Sequence, residues 1–461
     1  MDPYLKAYEE FTELEIALDL DTLRLNEANP WELIRFFAYN ELMKARGLFG
    51  EGQHRAHKGV LKKLKEHTAP FFGHDPITAP RDMVLVIGHQ RRIKTDQGLY
   101  RDVYCEPYLE IMQENNIPFN YMERPYSLPA HFTPTETKKV FYLDNILLGK
   151  HDSGSKENFV SLLKTKAAQF CKELGIPSGP LMAYIDNAGR HFSAGTDNIR
   201  RLLKKIVPKK IVMAIGYIRV NQLISLEAKK MGIEVIEIQH GIISKFHMGY
   251  SYEKWRKNPP AFPDKILLFG DDWAACAPFP IDNKELITLG APRFQDKKKI
   301  SQGIGARKNI LFISQGSIGE NIISAALELE KSVDEELHIG IKLHPAEVGR
   351  KSKIYDQLRQ NGNIDIFDGN EDIYALYEQY GTAVGGYSTA LLEAREFGLV
   401  AYCLDVPGVH YFDRFITNKK VSLISSIHHL AETIKKQGDS KNRNTGNIFS
   451  DFRPDKFLEL L

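Results

Sequence analysis

GIEVIEIQHGIISKFHMGYSY, residues 232–252, is the stretch that decides the fold. Its β-branched run at 233–238 reads as a buried strand of a parallel sheet. The run stops at Gln239-His240-Gly241, which sets polar groups at the carboxyl end of a strand, where an α/β sheet opens its ligand crevice. Gly241 lets the chain turn there or lets a ligand come close. Taken alone, Gln239 and His240 serve equally well as groups that tie down a loop. Upstream, KIVMAIGY at 210–217 is another apolar run, and residues 220–231 carry Leu223, Ile224, Ala228 and Met231 at helical spacing. The unit is strand, helix, strand, with His240 at its tip.

The same pattern extends in both directions. MVLVI at 83–87 predicts a buried strand that ends in Gly88-His89-Gln90-Arg91-Arg92, a polar loop where a ligand would sit. Asp102 follows; it is a candidate general base, although a lone loop carboxylate more often forms a turn or caps a helix. Residues 117–121 and 139–143 read as strands, and 157–174 and 197–206 as helices, the second with Thr196 as its cap. Further strands are expected at 262–270 and 286–289. The polar, basic stretch 293–308 reads as a linker.

A second α/β unit begins at Asn309. Its strand 310–313 leads into SQGSIG, 314–319, where Gly316 and Ser317 belong to a small-residue loop before a helix at 321–331. Such a loop suits a phosphate, and equally a plain tight turn. The strand 337–343 ends in His344-Pro345, with Lys342 beside it. GGYST at 385–389 leads from a strand into a helix at 390–397, and 399–404 is a last strand.

The 461 residues are too many for one ordinary core and predict a helical extension at 1–78, one Rossmann-like domain at 79–300 and another at 301–461. Sixty-one Lys and Arg against 59 Asp and Glu leave a net charge of +2, which gives no support for a nucleic-acid partner. The four cysteines are scattered with no CxxC pair, so no zinc ribbon or disulfide framework is expected and a reducing cytoplasm fits. The N-terminus lacks an apolar signal core, and no apolar run is long enough to cross a bilayer. WELIRFFAY at 31–39, near Arg35, Lys44, Arg46, Arg55, Lys58 and Lys62, suits an amphipathic helix. Such a helix either packs on the body, the reading favoured here, or rests peripherally on the inner face of the cytoplasmic membrane.

Four loops that follow strands thus carry the chemistry: those at His89, at His240, at His344 and at Ser388. Lys342 and His344 offer a cation and a hydrogen-bond donor to a phosphate. Ser388 and Thr389 add hydroxyls, N–H groups and the positive end of a helix dipole, and Glu393 can accept from ribose hydroxyls. Each also has a plain structural role open to it, such as an N-cap for Ser388.

KLHP at 342–345 and GGYSTALLEAREFG at 385–398 resemble the His-Pro and Ser-Ser/Thr motifs of bacterial sialyltransferases, capsule Kdo transferases and polyglycerol-phosphate polymerases of teichoic acid synthesis. EIQHGIISKFHMGY resembles the Gln-His-Gly segment of capsule biosynthesis proteins. The likeness implies an α/β fold of GT-B type, two doubly wound Rossmann-like domains facing a cleft. It implies a metal-independent glycosyltransferase that moves a sugar from a nucleotide donor, CMP-linked by this resemblance, to an oligosaccharide or lipid-linked glycan at the cell surface. No cofactor is implied beyond that cytidine nucleotide substrate. On this resemblance His344, Ser388 and Thr389 hold the phosphate of the donor; Lys342, Pro345, Tyr387, Glu393, Gly316, Ser317 and Gln239, in the same strand-end loops, complete the expected donor site. His240 lies beside the donor sugar, Asp102 is the base, and His89 and Arg91 stand on the acceptor side. The acidic base motif of the sialyltransferases has no counterpart here. A CDP-glycerol or CDP-ribitol phosphotransferase, a nucleotide-sugar 2-epimerase and a non-catalytic nucleotide-sugar-binding partner are the alternatives.

Overall fold

Short strands of three to five residues, most of them apolar, build two wholly parallel sheets and one small hairpin. In the first half they are β1 (Val84–Gly88), β4 (Phe119–Glu123), β5 (Val140–Tyr142), β6 (Ile211–Ala214), β7 (Val235–Ile238), β8 (Lys265–Leu268) and β9 (Leu286–Thr288), with the antiparallel hairpin β2 (Arg92–Lys94) and β3 (Tyr100–Asp102) after β1. In the second half they are β10 (Ile310–Ile313), β11 (Ile339–Lys342), β12 (Ile364–Phe367), β13 (Thr382–Gly385), β14 (Val400–Leu404) and β15 (Ser422–Ile424). The computed structural model describes residues 3–25, 27–48, 75–89, 92–95, 97–123, 135–137, 139–143, 146, 153–255, 258–292, 309–333, 337–344, 347–368, 371–436 and 448–461.

The first sheet has the order β5-β4-β1-β6-β7-β8-β9 and the second β12-β11-β10-β13-β14-β15. Counted along the chain with the β2–β3 hairpin set aside, both begin 3-2-1-4-5-6. That is the doubly wound order, and it puts a topological switch point between β1 and β6 and another between β10 and β13. Helices cover the faces, so β6, β7, β10 and β13 are buried along their whole length.

The helix expected at 197–206 is the end of a 28-residue helix, Gly179–Ile206. Thr196 does not cap it. Its Oγ1 donates to Phe192 O at 2.6 Å within the helix. A Cβ at Gly189 would collide with Val160 of the helix Ser153–Leu174, so the glycine lets the two helices close on each other.

The N-terminal helices Pro3–Ala17 and Arg35–Ala45 pack inward. Phe11, Trp31 and Tyr39 join one core with residues of the first sheet's helices. Arg35 and Glu15 are 1% and 0% exposed and form a two-pronged ion pair. The Arg35 Nη1 also donates to Met248 O and Ser251 O, at 2.6 and 2.9 Å, which pins the segment just beyond His240. The aromatic face of 31–39 is therefore committed to the body, as the packing reading expects; Arg55, Lys58 and Lys62 lie outside the described residues. Residues 448–461 return to the first sheet: Trp273 Nε1 donates to Ile448 O at 3.0 Å, and Phe457 packs on Tyr108. No described helix is long and apolar enough to cross a membrane.

Candidate functional site

The candidate side chains gather where the strands of each sheet end. In the first sheet, the chain leaves β6 through Ile215, a β-branched residue at φ 61°. That left-handed backbone is strained for such a side chain. Asn221 holds it, its Nδ2 donating to Ala214 O and Ile215 O at 2.9 and 3.1 Å. Tyr217 follows, and its hydroxyl lies 3.4 Å from His240 Nε2.

Glu237 sits in the middle of the fully buried strand β7 and is 1% exposed. Its Oε1 accepts from the Tyr250 hydroxyl at 2.6 Å, and the same hydroxyl lies 3.3 Å from His240 Nδ1. Because the Tyr250 proton goes to Glu237, its oxygen is left to accept from Nδ1–H. This assigns the tautomer of His240 and leaves Nε2 with its lone pair, facing Tyr217. Tyr104 stands edge-on to His240, and His89 edge-on to Tyr104, with ring centres 5.7 and 5.8 Å apart.

Burial raises the pKa of Glu237 to about 7, against the opposing hydrogen bonds from Tyr250 and the Gly216 N–H. Burial does the same for Glu32, also to about 7. A carboxyl whose folded pKa is raised stabilises the fold fully below its unfolded value and loses that contribution as pH climbs through the folded value. The protein should therefore lose stability between pH 5 and pH 8, by about 2–3 kcal/mol for each such carboxyl. Urea melts at the two pH values check this; in Glu237→Gln the drop should shrink by one carboxyl's share, and an unchanged drop contradicts the assignment.

Asp102 is also brought to this edge, but its carboxylate is fully engaged. Oδ2 accepts from His89 N and the Tyr121 hydroxyl at 2.7 and 2.9 Å, and Oδ1 from Tyr104 N and Cys105 N at 2.7 and 3.2 Å. At 2% exposure it ties the β2–β3 hairpin to the exit of β1. Gln239 is likewise internal: Oε1 accepts from Phe269 N at 2.8 Å and Nε2 donates to Gly241 O at 3.0 Å. Arg91 and Pro345 lie outside the described residues.

At the second sheet, Glu347 organises the loops after β10 and β11. It is 0% exposed, and it accepts from the Ser314 hydroxyl at 2.9 Å, the Tyr355 hydroxyl at 2.5 Å and His344 N at 2.8 Å. Its carboxylate lies so close to Gly319, the first residue of the helix Gly319–Glu330, that any side chain there would overlap it. The helix start behind Gly316 and Ser317 thus faces a carboxylate of the protein itself. Arg350 Nη1 donates to Gly316 O at 2.8 Å, and the Ser317 hydroxyl lies 3.4 Å from that of Tyr387.

The start of the helix Thr389–Glu396 differs. Ser388 is its N-cap, yet the side chain makes no capping bond, and its buried Oγ has no partner among the described residues. Gln315 Oε1 is in the same state and reaches across the switch point to Gly386. Lys342, at the end of β11, keeps its Nζ 3.1 Å from Glu371, and Glu393 accepts from the Tyr374 hydroxyl at 3.0 Å. Stacked and edge-on rings join the two edges: Tyr387 on Tyr411, Tyr411 on His247, His247 on Tyr217, at 5.4, 6.3 and 4.7 Å.

Sequence reasoning missed Glu237, Tyr250, Tyr217 and Glu347 as site residues. Glu237 had a signal, an acid inside an apolar run. Among the described residues no group of three or more His, Cys, Asp or Glu could hold a metal ion.

No family profile and no curated protein matches the chain in sequence. Among solved structures, UDP-GlcNAc 2-epimerase from Methanocaldococcus jannaschii is 11% identical, covering 82% of this chain and 99% of its own, with a TM-score of 0.48. MurG from Acinetobacter baumannii is 12% identical over 78% of this chain and 91% of its own, with a TM-score of 0.44. The wall teichoic acid polymerase TagF, in a variant form, is 10% identical over 87% and 88%, with a TM-score of 0.41. Likeness this distant decides nothing about chemistry, which rests on the residues above.

Proposed function

We propose that the chain is a glycosyltransferase that moves a sugar from a nucleotide-linked donor to a hydroxyl acceptor of a surface glycan. The observation that carries this reading is Ser388: a buried hydroxyl without a partner, at the N-terminus of a helix, beside the switch point of a 3-2-1-4-5-6 sheet. A phosphate there would accept from that hydroxyl and from the first N–H groups of the helix, at the positive end of its dipole. His344, at the exit of the β11 strand, supplies a donor to the departing nucleotide, and Lys342, paired with Glu371 in the structure, adds its charge when it turns to the phosphate.

The acceptor hydroxyl must lose a proton as it attacks the anomeric carbon. His240 Nε2 takes it. The imidazolium formed is stabilised through Nδ1–H by Tyr250, and through Tyr250 by Glu237. Asp102 is given no part in this step, since its oxygens are occupied. The cytidine preference, and the choice of a bacterial surface glycan as acceptor, come from the resemblance of the KLHP and GGYST segments.

Calorimetric titration with CMP, CDP, UDP, GDP and their sugars tests the donor. Ser388→Ala should weaken the best-bound nucleotide by about 1.5 kcal/mol, roughly tenfold, the loss of a hydrogen bond to a charged group. Uridine or guanosine nucleotides binding as tightly as cytidine ones would remove the cytidine assignment. Affinity that is untouched in Ser388→Ala would remove the site.

A further inference from the structure

A cavity of about 480 Å³ is lined by residues that follow the β7 strand and residues that follow the β14 strand, none of them among those given to the nucleotide. Its lining includes Ser244 and Phe246, from the segment beyond Gly241, and His410 and Arg414, from beyond the β14 strand. Its volume is that of a small-molecule site. Ser244 and His410 are 7% and 6% exposed, so both are buried. Yet the Ser244 hydroxyl, both ring nitrogens of His410 and Nε of Arg414 find no hydrogen-bond partner among the described residues. Buried polar groups are as a rule hydrogen-bonded, so several orphaned ones on one cavity mark bonds kept for something that enters it.

The lining sets the chemistry of that ligand. Burial pushes the pKa of His410 down to about 3, so the ring stays neutral and offers one donor and one acceptor, a match for hydroxyls. Lys245 lies 3.5 Å from Asp413, and Glu253 accepts from the Tyr8 hydroxyl at 2.8 Å, so these charges are answered within the protein. Among the described residues the guanidinium of Arg414 has no such carboxylate, and its planar fork suits a carboxylate or a phosphate. Phe246, 2% exposed and edge-on to His410 at 4.7 Å, backs the His410 ring and keeps it in place. We infer that this cavity is a second ligand site, for a small anionic polyol, a sugar acid or sugar phosphate, distinct from the nucleotide site. It does not depend on the transferase reading.

The test uses the full chain and titrates glucuronate, glucose 1-phosphate and neutral glucose, by thermal shift and calorimetry. At least one of the two anions should bind, glucose should not, and Arg414→Ala should weaken the anion at least tenfold while the nucleotide Kd stays within twofold. The two anions separate a carboxylate ligand from a phosphate one. Ser244→Ala, which removes only the hydroxyl, should weaken the same ligand and serves if Arg414→Ala fails to fold. The inference is overturned if neither anion binds, if both variants bind it as wild type does, or if a saturating nucleotide displaces it. Anion binding that needs Arg414 in a protein that binds no nucleotide would leave this site standing and remove the proposed transferase.

Discussion

His240→Gln should lower kcat for sugar transfer by about 10²–10⁴-fold, the usual contribution of a positioned general base. Glutamine keeps a polar side chain of similar reach but cannot take a proton, so the nucleotide should still bind with wild-type affinity. The relay behind the imidazole gives a second readout. Tyr250→Phe removes the hydroxyl that links Nδ1 to Glu237, and the pH–rate profile should then lose the limb set by that linked pair. Glu237→Gln should shift that limb, because a group with a pKa of about 7 would no longer titrate behind the base. Turnover of His240→Gln within threefold of wild type would mean that the base lies elsewhere.

Glu15→Ala should cost about 3–5 kcal/mol of folding stability, the scale for removing one partner of a buried ion pair. Arg35 would stay 1% exposed with no counter-charge, stacked 4.3 Å from the Tyr252 ring. The effect should reach the chemistry too, because Arg35 holds Met248 O and Ser251 O on either side of Tyr250. Replacing both partners by apolar residues, Glu15→Leu with Arg35→Met, should recover much of the stability, since no charge is then left buried. Chemical denaturation measures both; a loss below 1 kcal/mol in Glu15→Ala would show that the pair is not what anchors the N-terminal helices.

Much of the architecture is legible because parallel strands covered on both faces read as continuous apolar runs. The β6–helix–β7 unit and the inner strands of the second sheet, β10, β11, β13 and β14, announce themselves this way. β15, Ser-Leu-Ile with two exposed residues, and the half-exposed β2–β3 hairpin do not, because edge strands lack that pattern. The long helix Gly179–Ile206 was read only at its end, because Thr196 looks like an N-cap until its hydroxyl is seen bonding back to Phe192 O. The sheet-end loops at His89, His240, His344 and Ser388 were readable as a set, because strand ends are where such folds keep ligands. The roles inside them were not. Asp102 looks like any loop carboxylate until its four hydrogen bonds are seen, and Glu347 acts through Ser314, 33 residues away. Arg35, read among the basic residues near an amphipathic helix, is buried by partners 20 and more than 200 residues distant. Pairings of that range leave no local trace in sequence.

Calorimetric titration of the wild-type chain and Ser388→Ala with the nucleotide panel tests the central claim, that a nucleotide phosphate sits at the start of the helix Thr389–Glu396. The account predicts a single site for at least one nucleotide, weakened roughly tenfold in the variant by loss of one charge-assisted hydrogen bond. No binding by any nucleotide, or equal binding by both proteins, would contradict it.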